Sequence, residues 1–127
     1  MSNLKKEYRD RDGHDIAEVC HRVATDSKGE EIAVLDVRGM CSFADYFVIV
    51  SGRSTRHVQA MAENIEHELR SKRINTSRAE GLREGTWVLL DFGDVIVHVF
   101  YHEQREFYDL DGLWHDAPRV EFDHDST

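Results

Sequence analysis

Hydrophobic residues recur at helical spacing in two stretches of the chain. The first stretch places them at positions i, i+3, i+4 and i+7: Ile16, Val19, Cys20 and Val23. This spacing predicts a helix that begins at Asp12 and ends near Gly29. The second stretch follows Gly52 and forms a longer stripe between polar residues: Val58, Met61, Ala62, Ile65 and Leu69. It predicts a long amphipathic helix with one buried face.

Short apolar runs rich in β-branched residues predict strands. Two runs precede the long helix and two follow it: residues 32–37, 46–51, 87–90 and 95–101. A weaker strand pattern covers residues 74–79. Asp91-Phe92-Gly93-Asp94 separates the last two runs, and its glycine suits a tight turn. We therefore expect the last two strands to form an antiparallel hairpin.

The C-terminal part of the chain combines a short helical pattern with an acidic end. Hydrophobic spacing within residues 103–114 predicts one short helix or two helical turns: Phe107, Leu110, Leu113 and Trp114. The order of elements and the apolar strands predict a single α/β domain, with a mixed β-sheet flanked by helices on its faces. We assign this domain to residues 1–120 and expect residues 121–127 to form a mobile acidic tail.

Length and charge limit the classes of function. At 127 residues, with 40% hydrophobic and 32% charged residues, the chain fits one globular domain and does not resemble a disordered segment. The formal net charge is −9, and residues 101–127 carry eight acidic side chains against two arginines. This excess disfavours binding to nucleic acid, whether nonspecific or sequence-specific, and predicts a basic partner. An acidic segment is most often only a solvated surface.

The cysteines and the N-terminal residues bear on the cellular compartment. Cys20 and Cys41 are too isolated in the sequence for a disulfide framework or a zinc site. Residues 1–11 lack the apolar core of a signal peptide, and the longest apolar run, residues 46–50, is too short to cross a bilayer. We therefore expect a cytoplasmic protein that is not inserted in a membrane.

The junction between the second predicted strand and the long helix has the composition of an anion site. Residues 51–57 bring a glycine, hydroxyl groups, two arginines and free helical N–H groups to one place. The same composition is typical of an ordinary capped helix start, with Ser54 or Thr55 accepting from backbone N–H groups. The junction matches neither a Walker loop nor a dinucleotide fingerprint, which favours the capped helix start.

Carboxylates and histidines suggest two metal sites, each with a structural alternative. Four aspartates lie at predicted strand ends, where a nucleotidyl-transfer enzyme holds its divalent metal: Asp36, Asp45, Asp91 and Asp94. Carboxylates at strand ends more often cap turns. His98 and His102 share a predicted strand face beside Glu103, but a hydrogen-bonded structural histidine is the commoner arrangement. No motif for a nucleophile accompanies these groups, so the sequence predicts no convincing active site.

Alternation along the strand at residues 87–91 predicts a recognition surface. Successive side chains point to opposite sides, with Trp87, Leu89 and Asp91 on one side and Val88 and Leu90 on the other. A tryptophan beside a carboxylate, close to Tyr101 and the acidic segment, is typical of an interface anchor. The pattern agrees equally with a Trp87 that only fills the edge of the core.

Several stretches of the chain are distinctive through their order and spacing. They are Leu35-Asp36-Val37-Arg38-Gly39, Ala44-Asp45-Tyr46-Phe47-Val48-Ile49, Ser51-Gly52, Arg56-His57-Val58-Gln59-Ala60, Glu80-Gly81, residues 87–98, residues 105–110 and Leu113-Trp114. Together they resemble the ribosomal silencing factor S family, also called Iojap. The resemblance extends over about residues 15–120, nearly the whole predicted domain.

This resemblance implies a factor that binds the large ribosomal subunit through large-subunit ribosomal protein fourteen. It implies that the bound factor sterically blocks joining of the small subunit and so represses translation. It further implies a homodimer with a fold similar to that of nucleotidyltransferases, without catalysis, cofactor or metal. The ribosomal contact implied by the resemblance falls on six residues: Trp87, Val88 and Asp91, with Tyr101, His102 and Glu103 as neighbours.

Two other classes of function stay open. A metal-dependent nucleotidyltransferase-like enzyme is favoured if Asp36, Asp91 and Asp94 come within metal-bridging distance beside Ser51-Gly52. A homodimeric scaffold without a ribosomal role is distinguished from a silencing factor by whether the acidic face stays exposed in the dimer.

Overall fold

The chain folds around one five-stranded β-sheet. A computed structural model describes residues 12–122. Its elements follow one another as α1 (Asp12–Asp26), β1 (Glu30–Asp36), β2 (Tyr46–Gly52), α2 (Thr55–Ser71), β3 (Arg78–Glu80), β4 (Trp87–Asp91), β5 (Val95–Tyr101), α3 (His102–Tyr108) and α4 (Leu110–Leu113). The strand order is β1-β2-β5-β4-β3, with β2 and β5 parallel and the other neighbouring pairs antiparallel. The predicted mixed sheet and the antiparallel β4–β5 hairpin are confirmed.

Both long helices pack against one face of the sheet, because each carries an apolar stripe. The buried residues of α2 are those of the predicted stripe: Val58, Met61, Ala62, Ile65 and Leu69. With α1 and alternate residues of the strands they form the larger of two apolar cores. Ser54 caps α2, since its hydroxyl oxygen accepts from the His57 N–H at 3.0 Å. Between residues 12 and 122, no helix is both long enough and apolar enough to cross a membrane.

The C-terminal segment covers the opposite face of the sheet. Leu110, Trp114 and Ala117 pack there against apolar side chains of the strands, including Phe47 and Phe100. The expectation of flanking helices therefore holds in a modified form. Two long helices cover one face, and two short helices with their connecting turns cover the other.

The predicted C-terminal helix is divided at Asp109. This residue has a left-handed backbone with φ of 50° and ends α3. Its carboxylate accepts from the Gly112 N–H at 3.1 Å and so caps the start of α4. Of the two arrangements expected from the sequence, the chain adopts two short helical turns.

β3 is shorter than the strand predicted from residues 74–79. The N–H of Ile74 donates to the Leu69 carbonyl at 2.9 Å, and Arg73 has a left-handed backbone with φ of 66°. Residues directly after α2 therefore close the helix end, and the chain joins the sheet only at Arg78.

The packed domain extends past its predicted end at residue 120. The Val120 N–H donates to the Val34 carbonyl, and the Asp36 N–H donates to the Pro118 carbonyl, both at 2.8 Å. The Phe122 ring then lies 5.1 Å from the His14 ring, measured between centroids. Phe122, which the sequence placed in the tail, is thus part of the packed domain. The rest of the predicted tail, residues 123–127, lies outside the described residues, as do residues 1–11.

Candidate partner-binding surface

β4 presents different side chains to the two faces of the sheet, as the alternation predicts. Trp87 and Leu89 are half-buried and lie on the face covered by the C-terminal segment, opposite Phe100 and His98 of β5. Val88 points to the other face and is completely buried in the core beneath the long helices. It offers no surface to a partner, so its place among the predicted contact residues is wrong. Its β-branched side chain serves core packing instead.

Three ring-bearing side chains hold the Trp87 indole. Phe100 stacks on it with 5.0 Å between ring centroids, and Tyr108 of α3 approaches to 4.7 Å. The indole Nε1–H donates a hydrogen bond to His98 Nδ1 at 3.2 Å. The half-buried ring therefore both closes the edge of the core and retains accessible surface, which combines the two interpretations left open by the sequence.

His98 is a buried structural histidine. Its side chain is only 7% exposed. Burial lowers the pKa of His98 from 6.5 to about 4, because the charged ring would lose its hydration. His102 lies exposed at the start of α3 and faces a different cleft. The metal-binding histidine pair considered from the sequence is therefore not formed.

An apolar groove lies next to Trp87 on the same face. It has a volume of about 750 Å³, and Leu89 and His98 form part of its wall. The other large apolar side chains that line it come from β2, β5, the loop before β2 and the C-terminal segment: Phe43, Phe47, Ile96, Leu110, Leu113 and Trp114. Phe43 is 66% and Leu113 is 72% exposed. Contiguous exposed apolar surface of this kind marks interaction sites.

Sequence reasoning missed this groove. Phe43 belongs to the irregular segment between β1 and β2, which has no hydrophobic periodicity. Leu113 fits a helical pattern, which does not assign it to an exposed surface. The two side chains meet only because the C-terminal segment folds back over β2 and β5. The one signal available in the sequence is the presence of large apolar residues, such as Phe43, in a segment without strand or helix periodicity.

Asp91 stands at the rim of the groove, at the end of β4. One of its carboxylate oxygens accepts from the Gly93 N–H at 2.8 Å and closes the hairpin turn. Its carbonyl accepts from the Ser77 N–H at 2.8 Å. The side chain is half-buried, so Asp91 both stabilises the turn and adds negative charge to the rim.

The other predicted contact residues lie at the opposite end of the β4–β5 pair. Tyr101 packs against the helix-side core, and its N–H donates to the Thr86 carbonyl at 2.9 Å. His102 and Glu103 are exposed on the first turn of α3. The structure thus brings these residues near the Trp87 end of β4. Asp91 lies at the far end of the same strand, roughly 13 Å away at 3.3 Å per residue.

A second cleft, with a volume of about 760 Å³, surrounds Arg105. Arg105 is 8% exposed, and its guanidinium donates to both carboxylate oxygens of Asp111 at 2.8 and 3.1 Å. It also donates to Ser51 Oγ at 3.0 Å and to the Glu31 carbonyl. The hydrogen bonds from Arg105 lower the pKa of the Asp111 carboxyl group. Arg105 therefore ties α3 and α4 to β1 and β2, a role that a single arginine in an acidic segment does not reveal.

The strand-to-helix junction after β2 is an ordinary capped helix start. In addition to the Ser54 cap, the Arg53 N–H donates to His57 Nδ1 at 3.0 Å, and His57 Nε2 lies 2.8 Å from the Ser27 carbonyl oxygen. The Arg53 side chain forms an ion pair with Glu30 at 2.7 Å. Because these groups already have partners within the chain, the geometry favours the structural interpretation over an anion site.

The aspartates at strand ends do not meet the strand-to-helix junction. Asp36 opposes Tyr46 at the start of β2, whereas Gly52 ends the same strand. That distance corresponds to about 20 Å of extended chain. Asp36 instead accepts from the Arg38 guanidinium at 2.7 and 3.0 Å, which lowers the pKa of its carboxyl group. Within residues 12–122, one group has metal-ligand spacing, and it contains none of these aspartates: His14, Asp15 and Glu18. The condition set for the enzyme alternative is not met.

The structure is a single α/β domain with a mixed five-stranded sheet, and one face of the sheet carries an exposed apolar groove. A family model described as ribosomal silencing factor during starvation matches residues 10–127. The chain therefore belongs to the ribosomal silencing factor family, which confirms the family predicted from the sequence. The role of this family is regulatory rather than enzymatic.

Individual relatives agree with this assignment. The chain is 40% identical to the ribosomal silencing factor RsfS of Bacillus subtilis, over 85% of this chain and 92% of that protein. It is 34% identical to the Mus musculus mitochondrial assembly of ribosomal large subunit protein 1, over 66% of this chain and 38% of that protein. A crystal structure of a Chromobacterium violaceum protein has the same fold, with a TM-score of 0.79 and 31% identity, covering 87% of this chain and 91% of that one. The predicted fold class is confirmed.

Proposed function

We propose that this protein binds the large ribosomal subunit through large-subunit ribosomal protein fourteen, blocks joining of the small subunit and so represses translation. The observation that carries the proposal is the Trp87 anchor beside the apolar groove, in a member of the ribosomal silencing factor family. Aromatic side chains fixed within an apolar surface are typical of the residues that dominate protein–protein affinity. The mouse relative, whose name refers to the ribosomal large subunit, favours that subunit as the partner.

Steric exclusion requires binding and no chemical step. A bound domain occupies surface that the small subunit needs, so the silenced fraction of subunits depends on the ratio of free factor to its Kd. The proposal therefore needs no catalysis, no cofactor and no metal. It agrees with the separation of the strand-end aspartates from the junction at Ser51-Gly52.

Charge favours a basic protein as the partner. The chain carries a formal net charge of −9, and Glu103, Glu106 and Asp109 are exposed along α3 and the turn after it. Complementary charge accelerates association and loses this effect as salt rises. Ribosomal RNA phosphates would be repelled by the same surface, so the proposed contact is with ribosomal protein.

The predicted contact residues take different roles in this proposal. Trp87 buries its ring against the partner, and Asp91 pairs with a partner lysine or arginine at the groove rim. His102 and Glu103 extend the acidic rim at the other end of the strand pair. Tyr101 packs against His102 and helps to hold it in place, since the two ring centroids lie 4.7 Å apart.

The proposal includes a homodimer for the free protein and a cytoplasmic location, where the subunits join. Phe107 and Tyr108, next to the Trp87 anchor, are 78% and 47% exposed. Large apolar side chains grouped in this way are commonly covered by a partner molecule. A second copy would shield them until a ribosomal subunit is bound.

Sedimentation with separated ribosomal subunits tests the proposal. We expect the wild-type protein to pellet with large subunits alone and to lower, in a dose-dependent manner, the number of joined particles once small subunits are added. Trp87→Ala should weaken binding by about 2 kcal/mol or more, which is a factor of about 30. Glu63→Gln, an exposed change on α2, is the matched control and should behave as wild type.

Two results would contradict the proposal at different levels. Failure of the wild-type protein to pellet at physiological salt would reject ribosomal silencing as its function. A folded Trp87→Ala protein with wild-type affinity would retain silencing but reject Trp87 as the anchor.

A further inference from the structure

His98 makes different use of its two ring nitrogens. Nδ1 receives a hydrogen bond from the Trp87 indole at 3.2 Å, and an indole nitrogen can only donate. Nδ1 must therefore be the acceptor, which places the proton of the neutral ring on Nε2. His98 is thus a hydrogen-bond donor on the side that does not face Trp87.

This second side of His98 has no hydrogen-bond partner among residues 12–122. The side chain is buried, and His98 forms part of the wall of the apolar groove. Buried donors in native proteins are nearly always paired, either with a protein group or with water, because an unpaired donor has lost its hydration without compensation. The ring neighbours of His98, Phe47 at 5.4 Å and Phe100 at 6.2 Å, offer no acceptor.

We propose that the groove receives an apolar side chain of the ribosomal protein partner, whose adjacent backbone carbonyl accepts a hydrogen bond from His98 Nε2. The inference rests on the proposed function and specifies its contact. An apolar side chain fits the Phe43 and Leu113 walls, and a carbonyl is the acceptor that accompanies any inserted side chain. A backbone carbonyl, which carries no net charge, suits a groove that both Asp91 and Arg78 line.

Charge and continuity favour a basic protein as the occupant of the groove. The acidic chain, with a formal net charge of −9, attracts a basic protein, and the second copy of the proposed homodimer is assigned to the separate exposed patch of Phe107 and Tyr108. The groove is also continuous with the strand that carries the anchor, since Leu89 and Asp91 of β4 line it. One partner segment can therefore contact Trp87 and enter the groove.

A pair of variants separates the two hydrogen bonds of His98. In His98→Asn the side-chain oxygen replaces the Nδ1 acceptor for Trp87, but the amide cannot reach the Nε2 position. In His98→Gln the longer side chain places an amide donor near the Nε2 position and loses the bond to Trp87. We expect His98→Asn to weaken binding to purified large-subunit ribosomal protein fourteen about tenfold, the effect of one lost interfacial hydrogen bond. His98→Gln should stay within about threefold of wild type, since a bond to the half-exposed indole is partly replaced by water.

Controls in the same binding assay keep effects on folding apart from effects on the groove. Urea unfolding of each variant establishes that the compared proteins are folded, and Glu63→Gln on the exposed side of α2 serves as the matched neutral change. In the wild-type protein labelled with ¹⁵N-histidine, the Nε2 proton of His98 should become protected from exchange and shift downfield when protein fourteen binds. A residue with a purely structural role would give no such signal.

The outcomes separate this inference from the function on which it rests. Wild-type protein that does not bind protein fourteen would overturn both. Wild-type binding that is equally strong in His98→Asn, without a change at the Nε2 proton, would overturn the groove contact alone. Loss of self-association in His98→Asn, with partner affinity unchanged, would assign the groove to a second copy and overturn the proposed occupant. Greater loss in His98→Asn than in His98→Gln, together with the protected proton, supports it.

Discussion

Replacing Arg105 by methionine tests how the C-terminal segment is held on the sheet. Methionine keeps the apolar stem of the side chain in place but removes four hydrogen bonds of the guanidinium, two to Asp111 and one each to Ser51 and Glu31. The expected result is a large loss of stability, because this one side chain ties the two short C-terminal helices to β1 and β2.

The loss of unfolding free energy depends on how well water can replace Arg105 at each group that it hydrogen-bonds. The Asp111 side chain is 35% exposed, so water can replace much of its ion pair with Arg105. Ser51 is buried at 1% exposure, and its hydroxyl loses a charged donor that water cannot easily replace. Leaving one or two buried polar groups with a weaker partner costs about 1–3 kcal/mol each. We therefore expect the free energy of unfolding to fall by about 3 kcal/mol, or the Tm by roughly 10 °C for a domain of this size.

Asp111 adds a pH dependence to this loss. The pKa of its carboxyl group is lowered in the folded protein from an ordinary value of 3.8, chiefly by the hydrogen bonds from Arg105. A lowered carboxyl pKa stabilises the fold above the unfolded pKa, and the stabilisation disappears as pH falls through the folded pKa. The difference between wild type and Arg105→Met should therefore be largest above about pH 4 and shrink in more acidic solution.

Urea unfolding followed by tryptophan fluorescence at pH 7 and at pH 3 measures both effects. Arg53→Met is the matched control, since Arg53 also pairs with a carboxylate but its side chain is 79% exposed. This control should be indistinguishable from wild type. An Arg105→Met protein as stable as Arg53→Met at pH 7 would refute the reasoning, as would a deficit that does not change with pH.

Three further changes have expected outcomes. Gly81→Ala should lower the free energy of unfolding by about 2 kcal/mol or more, because Gly81 has φ of +81° and an added Cβ would lie 2.0 Å from the Trp87 carbonyl oxygen. Gly93→Ala is the comparison in the same urea titration and should cost less, since Gly93 also has positive φ but an added Cβ would meet no other atom. His98→Asn should flatten the pH dependence of stability between pH 6.5 and about 4. In this range the histidine of the unfolded wild-type chain binds a proton, whereas buried His98 of the folded protein stays neutral, so the wild-type protein loses stability as pH falls. If the burial argument is wrong, urea titrations across this range would show the same slope for both proteins. Leu113→Ser should leave the unfolding curve unchanged, since this residue is 72% exposed. It should weaken binding to large-subunit ribosomal protein fourteen several-fold in a titration. Unchanged affinity would show that the groove does not take part in the contact.

The elements that the sequence predicted well are those whose signal is local. The α2 stripe repeats at helical spacing through five buried residues, and the residues of β5 form a continuous apolar run because both faces of this strand are covered. The elements predicted less well depend on distant parts of the chain. β3 starts later than predicted because the Ile74 N–H donates to the Leu69 carbonyl and so closes the end of α2. In β1, Glu31 has φ of 51° at an irregularity of the strand, and its carbonyl accepts from Arg105.

In the candidate site, too, the residues with a local sequence signal could be predicted, and those brought together by distant parts of the chain could not. Trp87 could be singled out because a large aromatic residue stood in an alternating strand, and alternation also assigned Leu89 and Asp91 to its face. The family resemblance implies a contact on the whole strand from Trp87 to Asp91 and so includes Val88, whereas alternation places Val88 on the other face, where the core buries it completely. The groove combines residues about 70 positions apart, such as Phe43 and Leu113, and no local pattern could reveal that they meet.

The two faces of the sheet separate stability from recognition. On the helix side, Val88 and its neighbours are fully buried by two long helices, and substitutions there should lower the free energy of unfolding without a specific effect on partner affinity. On the other side, the cover consists of short helices held through Arg105, and it leaves the edges of Trp87, Phe43 and Leu113 accessible. A thin cover of this kind contributes less apolar burial, so the fold depends there on polar contacts such as the pair between Arg105 and Asp111. The same incompleteness provides the accessible apolar surface that a protein acting by binding alone requires.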